Sequence, residues 1–334
     1  MIILSIETSC DETSVAITNN GREVLSNVVF TQIAVHTIYG GVVPEIASRM
    51  HTEKLSELTL AAINEAKIAF EDVEAVAVSY APGLIGALLT GVAFAKALAF
   101  SLNVPLIPVH HIRGHIASCY ITFKELTPPF ICLIASGSHS HIVKVNDYTD
   151  YEILGATKDD APGEAFDKVA RLLGLGYPGG VKIDKLFSKG DSKRFKFPKV
   201  TFKDNPYNFS FSGVKTNVIN LVHNMEQKGE EVPVNDVCAS FNQIVAETLV
   251  EKLHLACINE KATKVAICGG VSANSVLRKL ALDTFSKDNI TLYLPDLSLC
   301  GDNAAMIGCA GYYEYKAGNI GDMYLNAKSN SPIN

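Results

Sequence analysis

Two rhythms of apolar and polar positions run along this chain. An apolar run at residues 2–6 is followed by the polar turn Glu7-Thr8-Ser9-Cys10-Asp11-Glu12-Thr13 and a second apolar run at residues 14–17. That pattern predicts two short strands joined at a tip of acidic and hydroxyl residues. Residues 130–145 repeat it: FICLIA, the turn Ser136-Gly137-Ser138-His139-Ser140, then HIVKV. A hairpin that returns after about 130 residues suggests a duplicated fold, its two tips facing each other across a cleft. Small residues at such tips leave backbone N–H groups free to face an anion. Two unrelated hairpins are the alternative.

Helical spacing alternates with strands elsewhere. Leu55, Leu58, Ala62 and Ala66 form one stripe, followed by the strand pattern of residues 75–78. Phe241, Val245, Leu249 and Leu253 form another, followed by a strand at 264–268, a Gly269-Gly270 turn and a helix from about Asn274. The class is therefore α/β in packed layers. No low-complexity linker interrupts the chain, and the polar end from about Asn326 reads as loose. The start, MIILSIETSC, has no basic leader and reads as a first strand, not a signal peptide. Residues 84–100 carry one charge, Lys96, and approach membrane-spanning length. Gly86, Gly91 and the strand pattern that follows favour a buried helix of the core and no membrane.

Of 334 residues, 48% are hydrophobic and 19% charged, enough apolar surface for about two domains and too much for a disordered chain. The net charge of −6 excludes a generally basic nucleic-acid coat. Eight scattered cysteines without a CxxC pair argue against a zinc ribbon or disulfide scaffold and fit a reducing cytoplasm. One stretch departs from the acidic average. Residues 182–203 carry eight basic side chains against Asp184 and Asp191, a local +6 that leaves −12 elsewhere. Phenylalanines 187, 195, 197 and 202 are interleaved, a combination that suits a phosphate backbone and stacked bases. A solvated loop is the alternative.

The sharpest chemical signal is His110-His111-Ile112-Arg113-Gly114-His115 after a buried strand. On a helix His111 and His115 sit one turn apart, the spacing two imidazoles need to share a metal ion. The segment lacks the glutamate of HExxH and so offers no protease base. Asp302 is the best third ligand, with an N-cap role before Ala304-Ala305-Met306 as its competing use. Two imidazoles and a carboxylate suit iron or zinc and leave positions open for substrate oxygens. The carboxylates of residues 159–167 and Asp184, beside the Gly179-Gly180 turn, suit hydroxyl groups of a ribose or polyol; solvated helix faces are the alternative.

Taken in order, IETSCDET (6–13), YGGVVPEIASRMH (39–51), APGLIGALLTG (81–91), PVHHIRGH (108–115), GEAFDKVARLLGLGYPGG (163–180), FSFSGVKT (209–216) and CGGVSANSVLR (268–278) resemble the TsaD family, also called YgjD or Gcp. The resemblance covers nearly the whole chain. It implies a duplicated actin-like ATPase fold, the sugar-kinase and Hsp70-like ASKHA class, in two lobes around a cleft. The expected lobes are residues 1–110 with 305–334, and residues 111–304 carrying the basic segment.

The implied activity is transfer of a threonylcarbamoyl group from threonylcarbamoyl-AMP to N6 of adenosine 37 in tRNAs that read ANN codons, forming t6A and releasing AMP. The resemblance implies His111, His115 and Asp302 as ligands of a divalent metal, usually iron. It implies Ala135, Ser136, Gly137, Ser138, His139, Asp167, Gly180, Asp184 and Asn274 as adenylate-binding residues, and puts Asp11 and Glu12 near the reacting centre. Where the family usually has Ser-Gly-Gly-His, this chain has Ser138 as the third residue. Lys193, Arg194 and Lys196 are the expected tRNA contacts. A TsaB-type paralogue and a TsaE-type ATPase are the expected partners, in the cytoplasm. A metal-dependent peptidase, a small-molecule kinase and a nucleotide switch of the same fold are the rival functions.

Overall fold

The computed structural model describes residues 1–333, which pack into two compact units. The first comprises residues 1–128, 146–151 and 295–334, and the second 129–145 and 152–294. The expected boundaries at 110/111 and 304/305 both fall inside the first unit. The reason is packing: the helix that follows residue 110 lies against the last helix of the chain and belongs with it.

In the first unit β1 (Ile2–Glu7), β2 (Glu12–Asn19) and β3 (Glu23–Thr31) form an antiparallel meander. Two helices follow, α1 (Ile33–Tyr39) and α2 (Pro44–Ala66), then β4 (Ala75–Ala81), α3 (Ile85–Leu102), β5 (Leu106–His110) and α4 (His111–Thr122). The sheet order is β3-β2-β1-β4-β5, with β4 and β5 parallel to β1. Strands β1 and β4 are buried along almost their whole length, as strands covered on both faces must be. Leu4, Ile6, Val76 and Val78 meet Leu55 of α2 and Leu88 of α3 in the core.

The second unit contains β6 (Phe130–Ala135), β7 (Ser140–Asp147) and β8 (Asp150–Ala156), then α5 (Pro162–Leu172), α6 (Gly179–Phe187), α7 (Ser212–Gln227) and α8 (Val234–Asn259). After these come β9 (Lys264–Cys268), α9 (Ser275–Phe285) and β10 (Thr291–Tyr293). Its sheet runs β8-β7-β6-β9-β10, with β6 antiparallel to β7 and parallel to β9. Strand for strand this is the first sheet again. The repeated hairpins are thus the visible part of a duplicated α/β unit. Phe241, Val245, Leu249 and Leu253, the stripe seen in the sequence, fill the core below it.

Helix α3 is long and apolar enough to cross a membrane. Here Ala87, Leu88, Gly91, Val92, Ala95 and Ala99 are buried as one face, packed on α2 and β4, while Ile85, Leu89 and Phe100 stay exposed.

The last helix, α10 (Ala304–Lys316), returns to the first sheet. Its first amide donors all find partners: Ala304 N donates to Ser14 Oγ at 2.9 Å, Ala305 N to Asn27 Oδ1 at 3.2 Å and Met306 N to Asn303 Oδ1 at 3.1 Å. The N-cap is therefore Asn303, not the Asp302 weighed for it, because β2 and β3 saturate the other orphan amides. The end of the chain is not loose either. Lys328 N donates to Tyr80 O, Ser329 O accepts from Gly83 N, and Arg113 Nε donates to Ile333 O, all at 2.9–3.2 Å. Ala327 and Ile333 are buried, so apolar anchors hold a polar tail.

Asn303→Ala should lower the unfolding free energy by about 1 kcal/mol, the usual worth of a side-chain N-cap. Urea denaturation followed by circular dichroism measures it. An unshifted midpoint would mean that Ser14 and Asn27 suffice for this helix start.

Candidate metal centre and nucleotide-binding turns

Strand β5 ends at His110 and α4 starts at His111, so the two histidines open a helix on one face as their spacing requires. Their rings lie 4.6 Å apart, nearly perpendicular. Asp302 completes the group: its Oδ1 is 3.2 Å from His115 Nε2 and 3.6 Å from His111 Nε2. One ligand atom from each residue falls within 4.8 Å of the others. Metal–nitrogen and metal–oxygen bonds of about 2.0–2.2 Å place adjacent ligand atoms roughly 3.0–3.6 Å apart, so the cluster has the dimensions of a metal site. His115 adds a chemical argument. It is wholly buried; Nδ1 has no hydrogen-bond partner among the described residues, and Nε2 has only the Asp302 oxygen at 3.2 Å, outside hydrogen-bond geometry. A buried imidazole so poorly satisfied is costly, and a cation at Nε2 relieves part of that cost. The cluster can therefore hold a metal ion, with three protein ligands and open positions.

Glu7 supports this group, and the sequence reading missed it. Its carboxylate is fully buried at the end of β1, where Oε1 accepts from Ser9 N at 2.5 Å and Oε2 lies 3.1 Å from His111 Nδ1. Ser9 Oγ lies 3.1 Å from the same Nδ1. A carboxylate on one ring nitrogen orients the other toward the ligand cluster. Burial lowers the His111 pKa, but the charges of Glu7 and Asp302 outweigh it and carry it up to about 9. The only sequence signal for Glu7 was a charged residue closing an apolar strand.

Asp11 and Glu12 stand on the tip between β1 and β2, in the same unit. Asp11 is buried; Glu12 is half-buried and accepts from Thr31 Oγ1 at 3.3 Å. Burial first, then the charges of Asp11 and Asp302, push the Glu12 carboxyl up to about 9.

The second unit gathers the other predicted residues. Ala135 ends β6, and the turn of residues 136–139 closes with Ser136 N and Ser136 Oγ both donating to His139 O, at 3.0 and 2.9 Å. Gly137 and Ser138 form the exposed tip, so the Ser138 side chain projects from the turn and not into the core. The tip sits on the start of α5, whose Glu164 N donates to Gly137 O at 3.1 Å. At Gly163 a Cβ would lie 2.7 Å from the Gly137 Cα, so only glycine permits this approach. Gly269, at φ +89°, similarly packs its Cα side on Ala135 O.

Asp167 accepts from Gly179 N at 2.7 Å, which places Gly180 in the first turn of α6. Asp184 accepts from Asn242 Nδ2, Ser275 N and Ser275 Oγ, at 3.0, 3.1 and 2.9 Å. Asn274 caps α9 through Val276 N and Leu277 N and donates to Asn242 Oδ1. These two side chains hold the βα turn together, work that the sequence reading did not assign them. The other carboxylates there are also engaged: Asp159 accepts from Ser210 Oγ, Phe211 N and Ser212 N, and Asp160 pairs with Lys168 and Lys215.

After α6 the basic segment is irregular, with turns and bends over residues 188–195. Lys193, Arg194 and Lys196 are exposed. Phe187, Phe195 and Phe197 instead pack against the core, so these rings anchor the segment and are not a stacking platform for bases. Exposure alternates along 194–197, with the charges toward solvent and the rings on the core. Arg194 Nη1 lies 2.5 Å from Asp236 Oδ2, and Lys199 pairs with Glu247 and Glu251.

Similarity to known proteins adds to this geometry. Residues 23–309 match the family model described as TsaD, tRNA N6-adenosine threonylcarbamoyltransferase. A Clostridium perfringens strain 13 protein named tRNA N6-adenosine threonylcarbamoyltransferase is 53% identical over 329 residues, 98% of this chain and 97% of that one. A Clostridium botulinum strain Hall protein of the same name is 50% identical over 328 residues, 98% and 96% of the two chains. Among solved structures, full-length HypF in its phosphate- and nucleotide-bound form superposes with TM-score 0.64 at 16% identity, over 99% of this chain and 47% of that one. The Acidaminococcus fermentans (R)-2-hydroxyglutaryl-CoA dehydratase component A gives 0.56 at 13% identity, over 95% and 98%. These two likenesses bear on fold alone, which is the actin-like ATPase class.

His111→Ala and His115→Ala should each lose most bound metal while keeping native circular dichroism, because one of three ligands is gone. Glu7→Gln should weaken metal affinity by roughly 10–100-fold, as for other partners of a ligating histidine. Elemental analysis and competition with a chelating dye read both. Full occupancy in the two alanine variants would remove the site.

Proposed function

This chain belongs to the TsaD family of tRNA N6-adenosine threonylcarbamoyltransferases, and from that premise we propose that it makes t6A by acyl transfer. The adenosine N6 amine attacks the carbamoyl carbonyl of threonylcarbamoyl-AMP, a C–N bond forms, the bond to the phosphate oxygen breaks, and AMP leaves. The observation that carries the reading is the His111, His115 and Asp302 cluster in the same unit as the Asp11–Glu12 turn. A divalent ion there, which we take as iron with zinc as the alternative, supplies Lewis-acid polarisation of a substrate oxygen. Asp11 and Glu12 are the pair that accepts the proton lost by the amine.

Binding of the adenylate falls to the second unit in this reading. Ala135, Ser136, Gly137, Ser138 and His139 meet the phosphate end, with Asp167, Gly180, Asp184 and Asn274 around the nucleoside. Peptidase chemistry finds less support, since α4 carries no glutamate between its two histidines and the curated relatives are named transferases.

Lys193 and Lys196 supply the exposed charge for tRNA, with Arg194 shared with Asp236. The exposed face of α3, with Ile85, Leu89 and Phe100, supports a protein partner, which we take as the TsaB-type paralogue; a TsaE-type ATPase completes the set. A tRNA substrate implies a cytoplasmic site of action.

Nucleoside analysis of tRNA from cells depleted of this protein should show loss of t6A with other modifications retained; unchanged t6A would overturn the assignment. In purified enzyme, Asp11→Asn and Glu12→Gln should lower turnover by roughly 10²–10⁴-fold for whichever accepts the proton, with adenylate binding kept. Equal losses of binding and turnover would make the pair structural.

Replacing Lys193, Arg194 and Lys196 by alanine should weaken tRNA binding and flatten its salt dependence, by a slope of roughly 0.9 per phosphate contact removed. A salt series with wild-type slope would assign the patch elsewhere.

A further inference from the structure

A set of buried polar side chains lies behind the Asp11–Glu12 turn, and neither the metal cluster nor the adenylate site uses it. It comes from Thr13 of β2, from Gln32 and His36 at the start of α1, and from His51 of α2. The hairpin ladder ends with the pair Glu7 and Ser14, so carbonyls within the turn need partners from elsewhere. Two are supplied from this side. Cys10 O lies 2.9 Å from His51 Nε2, and Asp11 O accepts from Gln32 N at 3.0 Å.

The ring protons follow from these partners. A carbonyl only accepts, so His51 Nε2 carries the proton and Nδ1 is an acceptor. Thr13 Oγ1, 2.7 Å from Nδ1, therefore donates to it. The next ring obeys the same logic. Val43 N donates to His36 Nδ1 at 3.3 Å, so His36 Nε2 donates to Gln32 Oε1 at 3.0 Å. That sets the Gln32 amide, whose Nε2 faces Ala47 O at 3.4 Å and His51 Nδ1 at 3.5 Å. Both imidazoles are fully buried. Burial also lowers the His51 pKa, against the Cys10 hydrogen bond and the Glu7 and Asp11 charges that raise it. A neutral ring is what the donor and acceptor pattern needs.

We propose that His51 is a positioning residue for the transfer reaction. Its Nε2–H fixes the Cys10 carbonyl and, with Gln32 set by His36, holds the backbone that carries Asp11 and Glu12. The inference rests on the reading of that turn as the reacting one. A proton acceptor displaced by about 1 Å can lose about 10²-fold in rate without any change in substrate affinity. The geometry explains why a histidine is suited to this position. It is a rigid ring with a donor at one end for Cys10 and an acceptor at the other for Thr13.

The test compares His51→Ala with His51→Gln in the full chain, loaded with its metal and assayed on tRNA. His51→Ala should lower kcat about 10²-fold with KM for tRNA and metal content unchanged. His51→Gln, whose amide restores a donor near Nε2, should recover most of that loss. Should His51→Ala fail to fold, Thr13→Val removes only the donor to Nδ1 and should still lower kcat several-fold. Nitrogen-15 NMR of labelled histidine in the wild-type protein should show His51 as the neutral Nε2–H tautomer. Wild-type kcat in a folded His51→Ala overturns the proposal, as does an Nδ1–H or protonated ring. Full turnover in both Asp11→Asn and Glu12→Gln would instead sink the underlying view of the turn, and the tautomer would still report on the His51 network alone.

Discussion

A buried carboxylate with no partner is among the costliest things a fold can contain, and Glu7 is a carboxylate with no exposure at all. It has to be placed where the chain can satisfy it. The amide of Ser9 and the ring of His111 do so, one from its own turn and one from 104 residues away. That second partner ties the end of β1 to the junction of β5 and α4, two strands along the sheet. Strand β4 lies between, and its Ser79 Oγ accepts from Thr8 N at 3.4 Å. The parallel register of β1, β4 and β5 and the point at which α4 begins are thus coupled to one charge. Replacing the pair by apolar groups would be tolerable for stability alone. Keeping it sets which nitrogen of His111 faces the ligand cluster.

Much of the fold was legible because it follows from periodicity. The matching hairpins at residues 2–17 and 130–145 predicted a duplication, and both sheets repeat one order of strands. The helical stripes of α2 and α8 and the strand β9 lie where their apolar spacing put them. His111 and His115 were legible for the same reason, since four residues on a helix is one turn.

What stayed hidden depends on contacts that spacing does not encode. Asp302 and Asn303 are adjacent and both suit a helix cap, so local sequence cannot separate the cap from the ligand. The choice is made by Ser14 and Asn27, whose side chains occupy the neighbouring amides of α10. Arg194, Phe195, Lys196 and Phe197 likewise read as one basic and aromatic surface until the fold divides them between solvent and core. The end of the chain read as loose because it is polar, yet backbone groups there bond to Tyr80, Gly83 and Arg113 and two apolar residues are buried. Composition reports side chains, and this tail is held largely by its backbone.

The charges around the histidines argue for what the cluster is built to hold. Glu7, Asp11, Glu12 and Asp302 are four carboxyl groups in one mostly buried region, and their mutual repulsion is not screened by water there. Two groups register the excess. Glu12 is driven up to about 9 by burial and by Asp11 and Asp302, so it keeps its proton at neutral pH in the absence of a cation. His111 is driven up to about 9 by Glu7 and Asp302 in spite of its burial, so it gains one. One shift removes negative charge and the other adds positive charge, and both have the sign that crowded, buried carboxylates impose. A fold that wanted only a packed core would not gather these groups. A divalent ion between His111, His115 and Asp302 would offset the negative charge that these acids concentrate.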